Sequence, residues 1–360
     1  MPDDEARRKV LFLPDWSKGN PYQERLANAL AGHGYHVRFA EYPKGAFPLL
    51  KTALANPDCD VLHLHWVNSL VESVTWSGSA LKKRIKLMML GLDMLLAKLS
   101  GVRIVWTIHN LVTHESANQE TEIEARRVIA RGASHLLLHS DSALKLVELT
   151  YGLPLRHKTT IAPHGNYDGC YPECSEARNT LITTLNIEDR HTVLLFFGAI
   201  RRYKGLETLL NAFANLTDPS FRLIIAGACS DSGLIELITK SASSDSRILP
   251  LLRFIRDDEV QPLFDLADIV ALPFERTLTS GSATLACTMG RPLLVPEEAK
   301  VLDIVNTANA LFFDTEAGLT TQLQTLDKTC LKELGKSARA AVDGHSWKNV
   351  SERVASAYAR

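Results

Sequence analysis

The feature that most constrains the fold is a regular alternation of short apolar runs with longer amphipathic segments. The runs are rich in Val, Ile, Leu and Phe and are bounded by turn residues, which is typical of parallel strands buried on both faces. Six of them occur in the first half of the chain, at residues 10–14, 36–42, 60–66, 103–109, 135–140 and 159–163. Six more follow in the second half, at residues 192–200, 221–226, 248–254, 269–273, 292–295 and 310–313. Segments with helical spacing lie between them, such as residues 22–31, 81–99, 120–131 and 206–213. The alternation predicts an α/β chain with doubly wound parallel sheets.

The alternation is interrupted once, which predicts two domains. Residues 167–190 are rich in Gly, Pro, Cys and polar residues, and we interpret them as a linker. The 360 residues of the chain are enough for two domains of ordinary size. We therefore predict two Rossmann-like domains, at residues 1–166 and 191–344, that face an interdomain cleft. Residues 345–360 are expected to form a helix that crosses back to the first domain.

The composition excludes several classes of protein. With 46% hydrophobic and 22% charged residues, the chain can bury full cores, so it is not intrinsically disordered. A formal net charge of -1 argues against a nucleic-acid-binding protein, which ordinarily carries a basic excess. The N-terminus is polar, no run of about 18 apolar residues is present, and the six cysteines form no zinc-binding pattern. We expect a reduced, cytoplasmic protein that needs no metal ion.

Ligands of open α/β sheets bind beyond the carboxyl ends of the strands, so polar residues at those ends are the site candidates. In the second half, residues 197–205 read Phe-Gly-Ala-Ile-Arg-Arg-Tyr-Lys-Gly and lead from a strand into a helix. Arg201 and Lys204 beside a helix N-terminus suit a diphosphate, because free N–H groups and two formal charges meet there. The alternative is a solvated basic turn.

A second loop of this half follows the strand that ends near residue 273. It contains Thr279, Ser280, Gly281 and Ser282 immediately before an apolar helix. Gly281 allows a ligand to approach the backbone, while the serines can cap the helix or bind an anion. An ordinary N-cap explains the serines equally well but does not explain the length of the loop. In the same loop, Glu275 can accept hydrogen bonds from sugar hydroxyls.

Four short motifs of the second half carry a resemblance. They are Gly-Ala-Ile-Arg-Arg-Tyr-Lys-Gly at 198–205, Leu-Pro-Phe at 272–274, Thr-Ser-Gly-Ser at 279–282 and Gly-Arg-Pro at 290–292. Together they resemble the donor domain of GT-B glycosyltransferases, in the superfamily that includes family 4, and are similar to GumI-like bacterial exopolysaccharide mannosyltransferases. The resemblance implies a GT-B fold and a nucleotide diphosphate sugar as donor, GDP-mannose or a UDP-sugar, with no metal ion required. Phe254 is our candidate for stacking on the base of the donor.

One departure from that family concerns stereochemistry. Many members of family 4 place two glutamates eight residues apart, the second five residues before the Gly of Gly-x-Pro. Here the corresponding positions are Thr277 and Leu285, and neither is a carboxylate. The retaining-type pair is absent, which favours an inverting enzyme.

The first half offers candidates for the acceptor side. Its first strand ends in Pro14-Asp15-Trp16, and Asp15 is our first candidate for the general base that takes the proton of the acceptor hydroxyl. The residues expected to line the acceptor site in the same loop are Trp16, Gly19, Asn20 and Tyr22. The alternative is that Asp15 simply caps a turn.

Histidines follow four neighbouring strands of the first half. They are His65, His109, His139 and His164. A single histidine at such a position is more often structural, but four together predict a polar cleft. The resemblance implies a contact with the donor sugar for His109, which is our second candidate for the base. The spacing of the histidines fits no zinc site, and Asp58-Cys59-Asp60, a formal match to the metal-binding Asp-x-Asp pattern, begins a strand and is interpreted as a turn.

A basic amphipathic helix is expected at residues 81–98. Four of its first six residues are cations, namely Lys82, Lys83, Arg84 and Lys86, and an apolar stretch too short to span a bilayer follows them. This composition is typical of a helix that lies in an anionic membrane surface. The alternative is a partly buried core helix with one solvated end. Because related enzymes act on polyprenyl-linked acceptors, we expect peripheral contact with the inner face of the cell membrane.

These inferences together predict a metal-independent, inverting glycosyltransferase. It would move a sugar from a nucleotide diphosphate sugar to a glycan acceptor, lipid-linked by our expectation, in exopolysaccharide or cell-surface glycan synthesis. Two alternatives stay open: a nucleotide-sugar epimerase of the same fold, and a nucleotide-sugar-binding protein without catalytic activity. The absence of the glutamate pair favours the second of these.

Overall fold

The chain folds into two compact α/β units. A computed structural model describes residues 8–17, 21–75, 79–113 and 118–359. The first unit consists of Met1–Gly165 together with His345–Arg360, and the second of Asn166–Gly344. Each unit contains one six-stranded parallel sheet with helices packed on it, which confirms the prediction of two Rossmann-like domains.

The first sheet contains the six strands expected from the first half of the chain. They are β1 (Arg8–Leu13), β2 (Tyr35–Phe39), β3 (Val61–Leu64), β4 (Arg103–Thr107), β5 (His135–Leu138) and β6 (Thr159–Ile161). Their spatial order is β2-β1-β3-β4-β5-β6. The direction of the chain across the sheet therefore reverses between β1 and β3, and such a reversal opens a crevice for ligands at the carboxyl edge.

Six helices of the first unit connect these strands. They are α1 (Pro21–Ala31), α2 (Pro48–Ala55), α3 (Asn68–Thr75), α4 (Ala80–Leu99), α5 (Gln119–Gly132) and α6 (Asp141–Tyr151). Local signals mark their ends. The side chain of Ser140 accepts a hydrogen bond from the backbone N–H of Ala143 and so caps α6, which ends at Gly152 in a left-handed conformation with φ 61°.

The second sheet also contains the six strands expected from the sequence. They are β7 (Thr192–Phe197), β8 (Phe221–Ala226), β9 (Ile248–Leu251), β10 (Ile269–Ala271), β11 (Leu293–Pro296) and β12 (Ala310–Phe313). Their order, β12-β11-β10-β7-β8-β9, is the Rossmann order, with its reversal between β7 and β10. The helices are α7 (Ser175–Leu185), α8 (Leu206–Ala214), α9 (Ser232–Ser244), α10 (Asp257–Leu266), α11 (Gly281–Thr288), α12 (Glu316–Gln324) and α13 (Lys328–Ala340).

The segment that we expected to be a linker, residues 167–190, lies inside the second unit. It contains α7, whose Leu181 and Leu185 are buried in a core cluster with Val260 and Leu263 of α10. The polar composition of the segment belongs to the exposed face of this helix, because only three of its eleven residues are buried.

The last helix, α14 (Trp347–Ala359), belongs to the first unit. Its buried residues Val350, Val354 and Tyr358 join the core formed by the first sheet and α1. The Tyr358 hydroxyl lies 2.6 Å from Nδ1 of His63 on β3, deep in that core. The closing helix is therefore held by a buried polar contact as well as by apolar packing.

This contact makes a stability prediction. Tyr358→Phe removes the hydroxyl and leaves His63 Nδ1 buried without its partner, so we expect a loss of about 1–3 kcal/mol in unfolding free energy. The matched control is Ser356→Ala, which removes a hydroxyl bonded only within the same helix and should cost less than about 0.5 kcal/mol. Urea unfolding followed by tryptophan fluorescence measures both values, and equal losses would contradict the assignment.

Candidate active site

The strand ends at the reversal of the second sheet bring two predicted site residues, Lys204 and Ser282, together at Gly198. Gly198, just after β7, adopts φ +104°, a conformation that favours glycine. A β-carbon at this position would lie 3.0 Å from Ser282 Oγ and 3.2 Å from Lys204 Nζ. The Ser282 hydroxyl also donates a hydrogen bond to the carbonyl of Phe197. Lys204 and Ser282 therefore lie next to the bare backbone of Gly198, with no side chain between them and it.

Close contacts between backbone segments fix these loops. A β-carbon at Gly227 would lie 2.0 Å from the carbonyl oxygen of Gly198, and one at Gly205 would lie 1.9 Å from that of Pro273. The backbone N–H of Glu275 donates to the carbonyl of Tyr203 at 2.9 Å. Our sequence analysis did not identify Gly227; the available signal was a glycine directly after an apolar strand run.

The charges of this site are unbalanced. Arg202 forms a bidentate ion pair with Asp231, with N···O distances of 2.7 and 2.8 Å. Arg201 instead donates to the hydroxyl of Ser230. Among the residues that the structure describes, neither Arg201 nor Lys204 has an acidic partner. Burial, with the charge of Arg201 as a smaller cause, lowers the pKa of Lys204 to about 8. An anion bound beside this side chain would stabilise its protonated form.

The N-terminus of α11 adds hydrogen-bond donors. Ser280 is the N-cap, and its Oγ accepts from the backbone N–H of Ala283. The carbonyl of Thr279, just before the cap, accepts from the Thr277 hydroxyl. Gly281 and Ser282 form the first turn of the helix, where backbone N–H groups lack partners within the helix. The Ser280 cap is therefore present, and the expected anion site in this loop stays a prediction.

Two further candidates are exposed at the same edge. Glu275 is exposed in the loop after β10. Phe254, 69% exposed, follows the edge strand β9. The loop that carries Phe254 is braced by Arg253, which forms a bidentate ion pair with Glu259 at 2.7 Å for both contacts. An exposed aromatic ring on a braced loop is suited to stacking on a planar ligand.

In the first unit, Asp15 lies at the carboxyl end of β1 and is half-buried. Its Oδ1 accepts hydrogen bonds from the backbone N–H of Ser17 at 3.0 Å and from the Ser17 hydroxyl at 2.6 Å. This is the turn-capping geometry that we considered as the alternative to a base. Trp16 next to it stacks on Trp66 with a centroid distance of 4.3 Å.

Two of the acceptor-side residues expected from the sequence, Gly19 and Asn20, lie outside the described residues. Tyr22, at the start of α1, is buried at the centre of the predicted histidine cluster. Its ring centroid lies 5.2 Å from that of His109 and 4.9 Å from that of His164. Burial raises the pKa of Tyr22 well above its usual range, so its hydroxyl stays protonated.

The four predicted histidines form a continuous group across the carboxyl edge of the first sheet. His65 Nδ1 lies 3.3 Å from His109 Nε2, and His109 Nδ1 lies 3.4 Å from His139 Nε2. His139 Nδ1 donates to the carbonyl of Ala162 at 2.9 Å. His164 donates to the carbonyl of Gly165 at 2.8 Å. The four side chains therefore lie together, but His65 and His109 are buried, and the expected polar cleft stays a prediction.

Burial keeps these imidazoles neutral. It lowers the pKa of His139 to about 4 and that of His164 to about 3, and holds the pKa values of His65 and His109 well below 6.5. His63 stacks on His65 at a centroid distance of 4.1 Å, and burial lowers its pKa to about 3. A neutral imidazole both donates and accepts a hydrogen bond, so the cluster is polar without being charged.

Trp347 is a member of this cluster that our sequence analysis missed. Its ring lies against Tyr22 at a centroid distance of 5.4 Å. A β-carbon at Gly165 would lie 2.5 Å from the Trp347 ring, so this glycine makes room for it. No local pattern could have found Trp347, because it comes from α14, 182 residues after Gly165.

No metal-binding group appears in the described parts of the chain. No set of three or more His, Cys, Asp or Glu side chains there is arranged to hold an ion. In the Asp-x-Asp pattern, Asp58 pairs with Lys9 and Arg38, and Asp60 accepts from the backbone N–H of Lys9.

The basic helix, α4, spans 20 residues, and the four cations near its start divide into two pairs. Lys82 and Arg84 are exposed. Lys83 instead donates to the Thr121 hydroxyl of α5, and Lys86 to the carbonyl of Ser73. Lys83 and Lys86 therefore each reach back to a neighbouring helix, and the membrane contact expected of the four cations stays a prediction. In the part of the chain that the structure describes, no helix combines the length and apolar character needed to cross a bilayer.

Comparison with known proteins assigns the class. Residues 191–327, most of the second unit, match the family model described as Glycosyl transferases group 1. A curated relative, GDP-mannose:glycolipid 4-beta-D-mannosyltransferase from Xanthomonas campestris pv. campestris, is 27% identical over 316 residues, which cover 86% of this chain and 80% of the relative. The chain is a glycosyltransferase with the GT-B fold.

Solved structures of other proteins have the same fold as this chain. HepE from Anabaena in complex with UDP superposes with a TM-score of 0.74 at 15% identity, covering 98% of this chain and 100% of that one. Sucrose-phosphate synthase from Thermosynechococcus elongatus gives a TM-score of 0.73 at 16% identity, covering 98% of each chain.

The histidine cluster makes the first unit of the glycosyltransferase sensitive to acid. The pKa values of His63, His139 and His164 fall from about 6.5 in the unfolded chain to about 3, 4 and 3 in the folded one. The unfolded chain therefore binds more protons below pH 6.5, and stability falls as the pH drops from 6.5 towards 4. Each such group should cost about 1.4 kcal/mol per pH unit within this window.

Tryptophan fluorescence measures this effect selectively, because all five tryptophans of the chain lie in the first unit. We expect the urea midpoint of the fluorescence transition to fall steadily between pH 7 and pH 5. A midpoint that stays constant over this range would show that the histidines are not held neutral.

Proposed function

We propose that the protein transfers a mannosyl residue from GDP-mannose to a glycolipid acceptor. The observation that carries the proposal is a pair of cations, Arg201 and Lys204, that have no acidic partner among the described residues. They follow the strand at which the order of the second sheet reverses, and Lys204 lies beside Gly198. A curated relative with the name GDP-mannose:glycolipid 4-beta-D-mannosyltransferase supports mannose as the sugar, GDP-mannose as the donor and a glycolipid as the acceptor. We place the reaction in exopolysaccharide or cell-surface glycan synthesis.

In this reaction the bond between the anomeric carbon and the diphosphate breaks, and GDP leaves with the bonding electrons. Negative charge develops on the diphosphate oxygens. Fixed cations and backbone donors placed there stabilise that charge more in the transition state than in the ground state. Arg201, Lys204 and the first turn of α11 around Gly281 and Ser282 take this role, so the proposed reaction needs no metal ion.

The acceptor hydroxyl forms the new bond to the anomeric carbon and loses its proton to a base. We propose inversion of configuration, because Thr277 and Leu285 stand where related retaining enzymes carry glutamates. Leu285 is buried in the core, and the Thr277 hydroxyl is bonded to the Thr279 carbonyl. Asp15 is the proposed base. His109 is only the second candidate, because both of its ring nitrogens lie within 3.4 Å of neighbouring imidazoles.

The remaining donor contacts follow from exposure and chemistry. The exposed carboxylate of Glu275 is proposed to accept hydrogen bonds from hydroxyl groups of the donor. The exposed ring of Phe254 is proposed to stack on the guanine base.

The proposal is tested with purified protein, GDP-mannose and a polyprenyl-diphosphate glycan, in the presence of a chelator. We expect a mannosylated lipid with the β configuration by NMR, together with one GDP per transfer. Exclusive transfer from a UDP-sugar would overturn the choice of donor. An epimerised nucleotide sugar formed without acceptor would overturn the reaction itself.

Lys204→Ala tests the phosphate assignment within this assay. Removing the cation should lower kcat/KM at least about 100-fold, because a charge-assisted bond to a developing anion is worth roughly 3 kcal/mol. The control Lys240→Ala removes an exposed cation of α9 and should leave the kinetics unchanged. Near-normal turnover in the Lys204 variant would contradict the assignment.

We also propose that the enzyme binds the membrane surface through α4. Six large apolar side chains on this helix are exposed, at spacings of four and three residues: Leu81, Ile85, Met88, Leu92, Leu95 and Leu99. At 100° per residue they form one stripe along the helix. The buried residues Leu90, Met94 and Ala97 lie on the opposite side, so the helix is apolar both towards the core and towards solvent.

The charges beside this stripe favour an anionic lipid surface over a second copy of the chain. Lys82 and Arg84 flank it and are exposed. The one acidic residue of the helix, Asp93, is buried and accepts hydrogen bonds from the backbone N–H groups of Leu49 and Leu50. Two such helices packed in parallel would bring these cations together, whereas anionic headgroups attract each cation by about 1 kcal/mol. A peripheral location at the inner face of the cell membrane follows from this proposal.

A vesicle-binding experiment tests this surface. Leu92→Glu places a charge in the middle of the stripe and should weaken flotation with phosphatidylglycerol-containing vesicles about tenfold or more, because burying one leucine contributes about 1.5–3 kcal/mol. Leu149→Glu is the matched control, since Leu149 is an exposed leucine on α6 of the same unit. Equal binding by the two variants would rule out this face.

A further inference from the structure

Three imidazoles of the first unit form a row whose hydrogen-bond direction is set at one end. The row consists of His65, His109 and His139, which follow three adjacent strands of the sheet. At its last member, His139 Nδ1 lies 2.9 Å from the carbonyl oxygen of Ala162. A carbonyl oxygen only accepts hydrogen bonds, so His139 carries its proton on Nδ1.

This assignment passes along the row from ring to ring. All three imidazoles are neutral, so each has one donor and one acceptor nitrogen. His139 Nε2 therefore accepts from His109 Nδ1–H across 3.4 Å. His109 Nε2 then accepts from His65 Nδ1–H across 3.3 Å. The remaining nitrogen of the row, His65 Nε2, is left as an acceptor.

His65 Nε2, the acceptor nitrogen at the end of the row opposite to His139, is buried. His65 is 1% exposed, and its Nε2 has no hydrogen-bond partner among the residues that the structure describes. The two nitrogens of an imidazole point to nearly opposite sides, so Nε2 faces away from His109 and β4. The neighbour of β3 on that side is β1, and the backbone N–H of His65 donates to the carbonyl of Leu13 at the end of β1. Asp15 follows two residues later.

Main-chain hydrogen bonds of the sheet hold the carbonyl group that orients His139. The backbone N–H of Ala162 donates to the carbonyl of Leu138 at 2.8 Å, which extends the pairing of β5 with β6. The carbonyl that orients His139 is therefore held by main-chain bonds. Trp66 stacks on the His109 ring at a centroid distance of 4.7 Å and an angle of 13°, which holds the middle ring in its plane.

We propose that His139 is a positioning residue: it fixes His109 and His65 as Nδ1–H tautomers and so presents His65 Nε2 as the acceptor for a hydroxyl group beside the end of β1. A water molecule and the hydroxyl of a bound glycan offer the same donor chemistry. For the glycan, the inference rests on the proposed function, because that hydroxyl is the one that attacks the sugar. The tautomers themselves depend on the fold alone.

The tautomers are measured directly by NMR of the full chain labelled with 15N-histidine, without substrate. We expect Nδ1–H and an unprotonated Nε2 for His65, His109 and His139 at pH 7.5. His139→Leu removes the acceptor for His109 Nδ1–H, so His109 and then His65 should change to Nε2–H. His139→Gln keeps an acceptor oxygen and should keep both tautomers. His33→Leu, the control, removes a histidine that contacts Ser351 outside the row.

The change at His65 is the decisive signal, because His139 does not touch that ring and a merely structural defect would not invert its tautomer. The proposal is overturned if His65 or His109 carries its proton on Nε2 in the unsubstituted protein. It is also overturned if both keep their Nδ1–H tautomers in the Leu variant.

Kinetics provide the second readout. In the mannosyl-transfer assay, His139→Leu should lower kcat about tenfold with KM for GDP-mannose changed less than about twofold, and His139→Gln should restore most of kcat. Wild-type turnover in the Leu variant would overturn the positioning role. If the protein transfers no mannose at all but the NMR pattern follows expectation, the tautomer assignment stands and only the proposed function fails.

Discussion

Backbone segments of the second unit pack so closely at two glycines that a β-carbon would not fit, and these contacts set the geometry of the candidate donor site. Gly227 lies against the carbonyl of Gly198, and Gly205 lies against the carbonyl of Pro273. These contacts join the loops after β7, β8 and β10 at the point where the strand order reverses. Because the loops are positioned by backbone, Arg201 and Lys204 are held before any ligand arrives. Charges that need no reorganisation are the most effective at stabilising a developing anion.

The two units treat ionisable side chains in opposite ways. In the second unit, burial disfavours the charge of Lys204 and lowers its pKa. An anion bound beside Lys204 would offset this cost by stabilising the folded state. In the first, burial removes the charge of the histidines and leaves neutral hydrogen-bonding rings. One edge is therefore suited to an anionic group, and the other to hydroxyl groups that need an uncharged partner. This division matches a reaction between a nucleotide sugar and a glycan.

The sequence predicted the twelve strands found in the described parts of the chain, because buried parallel strands give apolar runs that stand out locally. Several predicted runs extended too far: residues 103–109 were expected as one strand, whereas β4 ends at Thr107. Ile108 and His109 are buried as well, and burial alone does not distinguish a strand from the wall of a site. Four candidate site residues are among the excess residues at the strand ends: His65, His109, His139 and Phe254. Trp347 and the outward stripe of α4 escaped prediction, since the first depends on a contact distant in sequence and the second on knowing which face the core covers.

The placement of α14 has a consequence for the order in which the protein is made. The core of the first unit includes Val350, Val354 and Tyr358, which are synthesised only after the whole of the second unit. During translation the first sheet therefore waits with an uncovered apolar surface while Asn166–Gly344 completes its own core. The second unit, the donor side of the enzyme, can fold as soon as it emerges. The first unit, whose synthesis begins first, is therefore the last to complete its core.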